Sequence, residues 1–115
     1  MRTFAGKMLD RFRFEARLST DDGLGNPQSG PWTEQFTRWA EVKAERGNES
    51  VEAARLEGQQ RVRIMVHNDS GTRRITTDWR AVDARSGTVY AITSVMDEER
   101  RGQFITMEAI SGRAP

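Results

Sequence analysis

Cysteine is missing from this 115-residue chain, and histidine occurs once, as His67. The first absence excludes disulfides, thiolate catalysis and cysteine-type zinc sites, and it suits a reducing compartment. The second removes ordinary histidine-rich metal sites, because a lone imidazole is only a fraction of the ligand set zinc takes. No apolar run approaches the roughly 20 residues a membrane helix needs, and Met1 to Asp10 has no apolar core of a secretory signal, so the chain is expected to be soluble when made, with no membrane partner. A dominant charge is missing too: eighteen basic residues face seventeen acidic ones, for a net charge of +1. No overall field therefore draws the protein onto nucleic acid or a membrane, and any DNA contact must be local.

Lysine is scarce as well, with Lys7 and Lys43 alone among the basic residues and arginine making up the rest. Arginine suits bidentate pairing at interfaces, although a GC-rich genome produces the same bias. At this length one domain is expected, and its core must be small. Hydrophobic residues amount to 36% and charged ones to 30%, with a mean hydropathy of -0.74. That balance fits a subunit of a larger assembly better than a self-contained monomer.

Arg11 to Leu18 alternates strictly, with Phe12, Phe14, Ala16 and Leu18 on one face and Arg11, Arg13, Glu15 and Arg17 on the other. This is the period of a half-buried strand. Ser19 to Pro31, rich in Gly, Pro, Asp and Asn, reads as a long exposed loop. Trp32 to about Glu45 reads as a second strand, with Phe36, Ala40, Val42 and Ala44 on one face and Trp39 on the other, which suggests burial on both sides. Asn48 to Gly58 has a capping Asn, early acidic residues, internal alanines and a stopping Gly, and predicts one short helix.

Val62, Ile64 and Val66 alternate through a third strand that ends at Asn68-Asp69-Ser70-Gly71. Thr72 to Asp78 fits no element well. Arg80 to Arg85 reads as a short strand, Ser86-Gly87 turns it, and the β-branched run Thr88 to Val95 reads as a central strand. Asp97 to Gly102 reads as a charged turn and Gln103 to Ile110 as the closing strand. Residues 1–10 and 111–115 are expected to be flexible ends of a single domain spanning 1–115, with 19–31 a long loop and 48–57 a helical insertion. The fold class is mainly β, a small antiparallel barrel or sandwich of five to six strands with one inserted α-helix. Closure is favoured because it removes exposed strand edges.

Catalytic patterns are weak. The seven serines stand in no Gly-x-Ser-x-Gly elbow, and they read as turn and surface residues. Asp21, Asp22 and Asn26 around Gly23 and Gly25 lack the alternating ligand spacing and terminal Glu of a calcium loop. The glycines also lack the third member and the strand-helix context of a nucleotide fingerprint. Arg11, Arg13, Arg17, Arg61 and Arg63 could line an oligonucleotide-binding barrel face, yet Phe12 and Phe14 alternate away from the first-strand arginines. A small enzyme would need Asp78 or Asp83 in a carboxylate cluster, and turns explain both better. No catalytic, metal or cofactor residue is therefore assigned. Trp32, Trp39 and Trp79 are numerous for this length, and interfaces favour Trp as they favour Arg.

The stretch Ile75 to Val95, together with Asp10-Arg11-Phe12-Arg13-Phe14, Thr37-Arg38-Trp39-Ala40, Glu52-Ala53-Ala54-Arg55, Arg61-Val62-Arg63-Ile64 and Gly87-Thr88-Val89-Tyr90-Ala91-Ile92, carries a resemblance. In order and spacing these pieces resemble the head-closure proteins of tailed phages, also called head-tail joining or stopper proteins. The resemblance covers nearly the whole chain. It implies a non-enzymatic β-barrel, in which Trp79, Tyr90 and Ile92 build the scaffold. It also implies a six- or twelve-fold homo-oligomeric ring in the particle, below the portal or adaptor and above a tail terminator or tail tube. Double-stranded DNA passes through the lumen of such a ring without sequence-specific binding, and in some members an internal segment closes the channel.

By that analogy the partner or channel contacts fall in the 19–31 loop and the 47–58 insertion. The candidates are Asp21, Asp22, Leu24, Asn26, Trp32, Glu49, Glu52, Arg55 and Glu57. The same part in a gene transfer agent or domesticated prophage is an alternative reading. A small barrel that binds nucleic acid is an alternative from a different class.

Overall fold

The computed structural model describes residues 8–21, 27–45, 49–56, 58–99 and 102–112. Strands β1 (Asp10–Asp21) and β2 (Pro27–Ala44) are followed by helix α1 (Glu49–Leu56), then β3 (Gln60–His67), a short 3-10 turn (Thr72–Arg74), β4 (Arg80–Asp83), β5 (Val89–Glu99) and β6 (Phe104–Ser111). The six strands close into an antiparallel barrel in the order β1-β2-β3-β6-β5-β4. This is the mainly β architecture that the alternation predicts, with one α-helix among the described residues.

The alternating residues of β1 and β3 do what their period requires. Phe12, Phe14, Val62, Ile64 and Val66 are all at most 2% exposed, and they meet Phe36, Ala40, Tyr90, Ile92, Ile105, Met107 and Ala109 in one core. Trp79 packs against its edge, so the scaffold role expected of Trp79, Tyr90 and Ile92 holds. β6 is buried on both faces: Ile105, Met107 and Ala109 point into the barrel, while Phe104 joins Met8 and Met65 in a second apolar cluster. Met8 is thus anchored, although the N-terminal ten residues were expected to be flexible; residues 1–7 and 113–115 lie outside the described residues.

The segment that fits no element from sequence forms the barrel's end. Asp69 accepts hydrogen bonds at Oδ1 from the Gly71 and Thr72 amides, both at 2.8 Å. The Thr72 hydroxyl donates to the His67 carbonyl at 2.7 Å. Those bonds start the 3-10 turn and seat Ile75, 4% exposed, in the core. The β4–β5 turn is organised by Asp83, whose Oδ1 accepts the Arg85 and Ser86 amides, while Gly87 takes the left-handed φ of 80° that a side chain would resist.

Three expectations are corrected. The loop over 19–31 is largely strand: β1 continues to Asp21 and β2 begins at Pro27, with Ser19, Thr20 and Asp21 paired to Ser29, Gln28 and Pro27. Cross-strand pairing overrides the turn-forming composition there. The turn expected from Asp97 is strand as far as Glu99, because β5 finds a partner in β6 up to Phe104. Trp39 is 52% exposed rather than buried on a second face, and Ala44 is also exposed.

Candidate functional site

Two excursions leave the barrel from opposite ends of β2. The first is the β1–β2 hairpin. β1 pairs with β4 only over Phe12 to Glu15, and β2 meets β3 only from Glu41 to Ala44. Beyond Glu15, the stretches from Ala16 to Asp21 and from Pro27 to Thr33 therefore pair, among the described residues, with each other alone. They form a two-stranded ribbon with both outer edges open. One register shift, at Phe14/Glu15, lies where it leaves the barrel and a second, at Arg17/Ser19, lies along it, and such irregularities bend and twist a ribbon.

The ribbon's base is bound to the barrel by arginines and aromatic rings. Trp32, half-buried on β2, has the Arg80 guanidinium 4.6 Å and the Arg17 guanidinium 5.5 Å from its ring centre. Arg17 Nε also donates to the Gly30 carbonyl at 2.8 Å, which fastens β1 to β2 by a side chain. Arg80 Nε donates to Glu15 Oε1 at 2.7 Å, and Arg13 lies 3.5 Å from the other carboxylate oxygen. Glu15 is thus a nearly buried carboxylate held by charge, on a face that alternation alone would put in solvent.

Further along β2, Arg38 stands 4.5 Å over Phe36 and its Nε donates to Asp69 at 3.0 Å. Arg74 lies 5.8 Å from Phe36 and 5.9 Å from Trp79. Burial alone would push the Asp69 carboxyl up. The Arg38 hydrogen bond and charge and the Thr72 and Gly71 amides outweigh it, so the group is held below its ordinary value of 3.8.

The second excursion is α1. Val51, 3% exposed, anchors it, and its carboxyl end stops at Gly58, whose φ of 79° and amide bond to the Arg55 carbonyl suit a glycine terminator. Glu49, Glu52, Arg55 and Leu56 face solvent, and Arg55 pairs with Glu52 at 3.5 Å. Beside the helix, Ala44, Glu45, Arg55, Gln60 and Arg61 line a shallow cavity of about 250 Å³. Burial pushes the Glu45 carboxyl up, reinforced by its hydrogen bond to Glu108 and that group's charge. Glu108 is pulled down, chiefly by the Ser94 hydroxyl that donates to it at 3.0 Å. Glu45 is therefore the member of the pair that keeps a proton more readily.

The expected contact residues are thus divided between two sites. Trp32 belongs to the ribbon's base and Asp21 to its backbone ladder; Glu49, Glu52 and Arg55 share the exposed side of α1. Asp22, Leu24, Asn26 and Glu57 lie outside the described residues. One feature escaped the sequence reading. Leu9 and Trp39, 75% and 52% exposed, line a groove of about 350 Å³ with Arg11, Ala84 and Arg85. The signal for it was a Trp on the outward register of β2, opposite Arg11.

Comparison with known proteins agrees with this architecture. A chain from the virion of a native gene transfer agent particle is 23% identical, over 90% of this chain and 94% of its own, with a TM-score of 0.62. Protein SF1141 from Shigella flexneri 2a, solved in solution, is 19% identical, over 98% of this chain and 100% of its own, with a TM-score of 0.68. Both share the fold. No curated protein matches the chain. The model of the phage head completion proteins matches residues 4–112, and the chain belongs to that family.

Proposed function

We propose that this structural protein of a phage-type particle forms a ring between the portal or adaptor complex and the tail, extending the DNA channel and offering the surface on which the tail docks. The observation that carries the reading, beside the family, is the pair of excursions at opposite ends of β2. A two-stranded ribbon is marginal in water by itself, and one that projects from a closed barrel gains most when a partner covers it. The ribbon, with Asp21 and Trp32, serves one neighbour of the ring, and α1, with Glu49, Glu52 and Arg55, serves another; Asp22, Leu24, Asn26 and Glu57, outside the described residues, are proposed as contacts from their position in the sequence. The net charge of +1 fits a channel that lets duplex DNA pass, since each neutralised phosphate would tighten its hold. The fold shared with a chain of a gene transfer agent virion makes such a particle as suitable a host as a phage.

Electron microscopy of particles from a strain lacking the gene tests the reading. Filled heads without tails are expected, many of them leaking DNA; normal tailed particles would overturn it. Tight binding of duplex DNA by the monomer at physiological salt would favour a nucleic-acid-binding barrel instead.

A further inference from the structure

Among the described residues three large hydrophobic side chains are exposed: Leu9, Trp39 and Leu56. Two of them share the groove at the start of β1, and the third stands 89% exposed at the end of α1. We infer that the groove of one copy receives Leu56 and the acidic side of α1 from a second copy, and that this head-to-tail contact is the subunit interface of the ring. The inference rests on the ring reading above and supplies its geometry.

Charge supports this occupant. Arg11 and Arg85 flank the groove against Asp10, and neither has a carboxylate partner within ion-pair distance among the described residues. α1 offers Glu49 in its first turn, together with Glu52, an exposed carboxylate that shares Arg55 at 3.5 Å. Trp and Arg together are the residue types that dominate interface energetics. The Arg11 guanidinium lies 5.2 Å from the Trp39 ring centre, so the indole is already held in place.

Placement supports it too. The groove is built where β1 begins and the β4–β5 turn closes, with the Ala84 amide bonded to the Arg11 carbonyl. α1 leaves from the end of β2, so both patches belong to the barrel end away from the ribbon. α1 packs on β3, whereas the groove is centred on β1, so one chain does not satisfy both patches itself. Two different patches at one level make a heterologous contact, which generates a ring when its rotation closes.

The absence of native cysteine gives a direct test. Chains carrying Leu56→Cys and chains carrying Ala84→Cys are co-produced in the particle-forming host and oxidised, so that a mixed disulfide joins only different copies. The expected result is a mixed disulfide several-fold above the Leu56→Cys with Arg73→Cys control, whose second site lies at the ribbon end. Rings visible in the particles with no disulfide above that control would overturn the interface and leave the ring reading standing. Particles with no ring would overturn both. In a second arm, Glu49→Arg with Glu52→Arg weakens assembly and Arg11→Glu with Arg85→Glu in the same chain restores it; loss without restoration, in chains whose circular dichroism is unchanged, counts against the contact.

Discussion

β1 and β2 behave differently on the two sides of Glu15. On the barrel side their inward residues Phe12, Phe14, Phe36 and Ala40 are at most 9% exposed, and β1 has a neighbour on each edge. On the ribbon side the same two strands have, among the described residues, only each other. Burial of apolar area holds the first half, whereas backbone pairing and arginine-aromatic stacking hold the second. The lesson is that a closed barrel can export a long hairpin if the base is pinned by groups that tolerate water. Guanidiniums over rings do this, since the ring offers an apolar face and the cation keeps its hydration. Open edges remain a hazard, and Pro27 and Pro31 on β2 have no backbone N–H to offer a stray strand.

The sharpest way to break this contrast is Phe14→Ala. Loss of a fully buried ring should cost about 3–5 kcal/mol in denaturant unfolding; a cost near that of a ribbon substitution would mean the barrel is not the stable half. Arg80→Ala comes next. It leaves the Glu15 carboxylate nearly buried without its closest partner, and a loss of about 2 kcal/mol is expected. Glu15→Gln in the same chain should recover part of the loss. If the two substitutions are simply additive in a double-mutant cycle, the pair does not pin the ribbon.

Trp32→Ala should cost only about 1 kcal/mol globally, yet it should speed amide hydrogen exchange from Ala16 to Asp21 while the β3 and β6 amides stay protected. Uniform acceleration would erase the boundary at Glu15. The smallest effect is expected at Asp69. Its folded carboxyl sits below the ordinary value, so its contribution is fully present above that value and fades as pH falls through the folded one. Asp69→Asn should therefore lower the thermal midpoint at neutral pH and flatten its decline below about pH 4. An unchanged acid profile would show that Arg38 and Asp69 do not tie β2 to the barrel's end.

Much of the barrel was legible because burial and period coincide. Phe12 and Phe14 against Arg11 and Arg13, and Val62 and Ile64 against Arg61 and Arg63, state a face without further context. Asp83 and Gly87 mark their turn by local chemistry. The ribbon was not legible, because Asp21, Pro27 and Ser29 are turn formers by propensity, and their pairing depends on a partner strand some residues away. Trp39 was misread for a related reason: alternation assigns it to a face, but whether that face is covered depends on other elements. Trp32 was picked out as a contact from its type and position, whereas its two arginine neighbours come from β1 and β4.

By itself, then, the amino-acid sequence determined the core-facing apolar residues of β1 and β3, the helix, the Asp83 turn and the fold class, since these rest on interactions within a few residues. Tertiary structure alone decided how far β1 and β2 run beyond the barrel, that Glu15 is nearly buried, and that Leu9, Arg11, Trp39 and Arg85 form one groove. Those outcomes depend on which strands become neighbours. That choice minimises exposed apolar area and unpaired backbone over the whole chain, and no local window contains it.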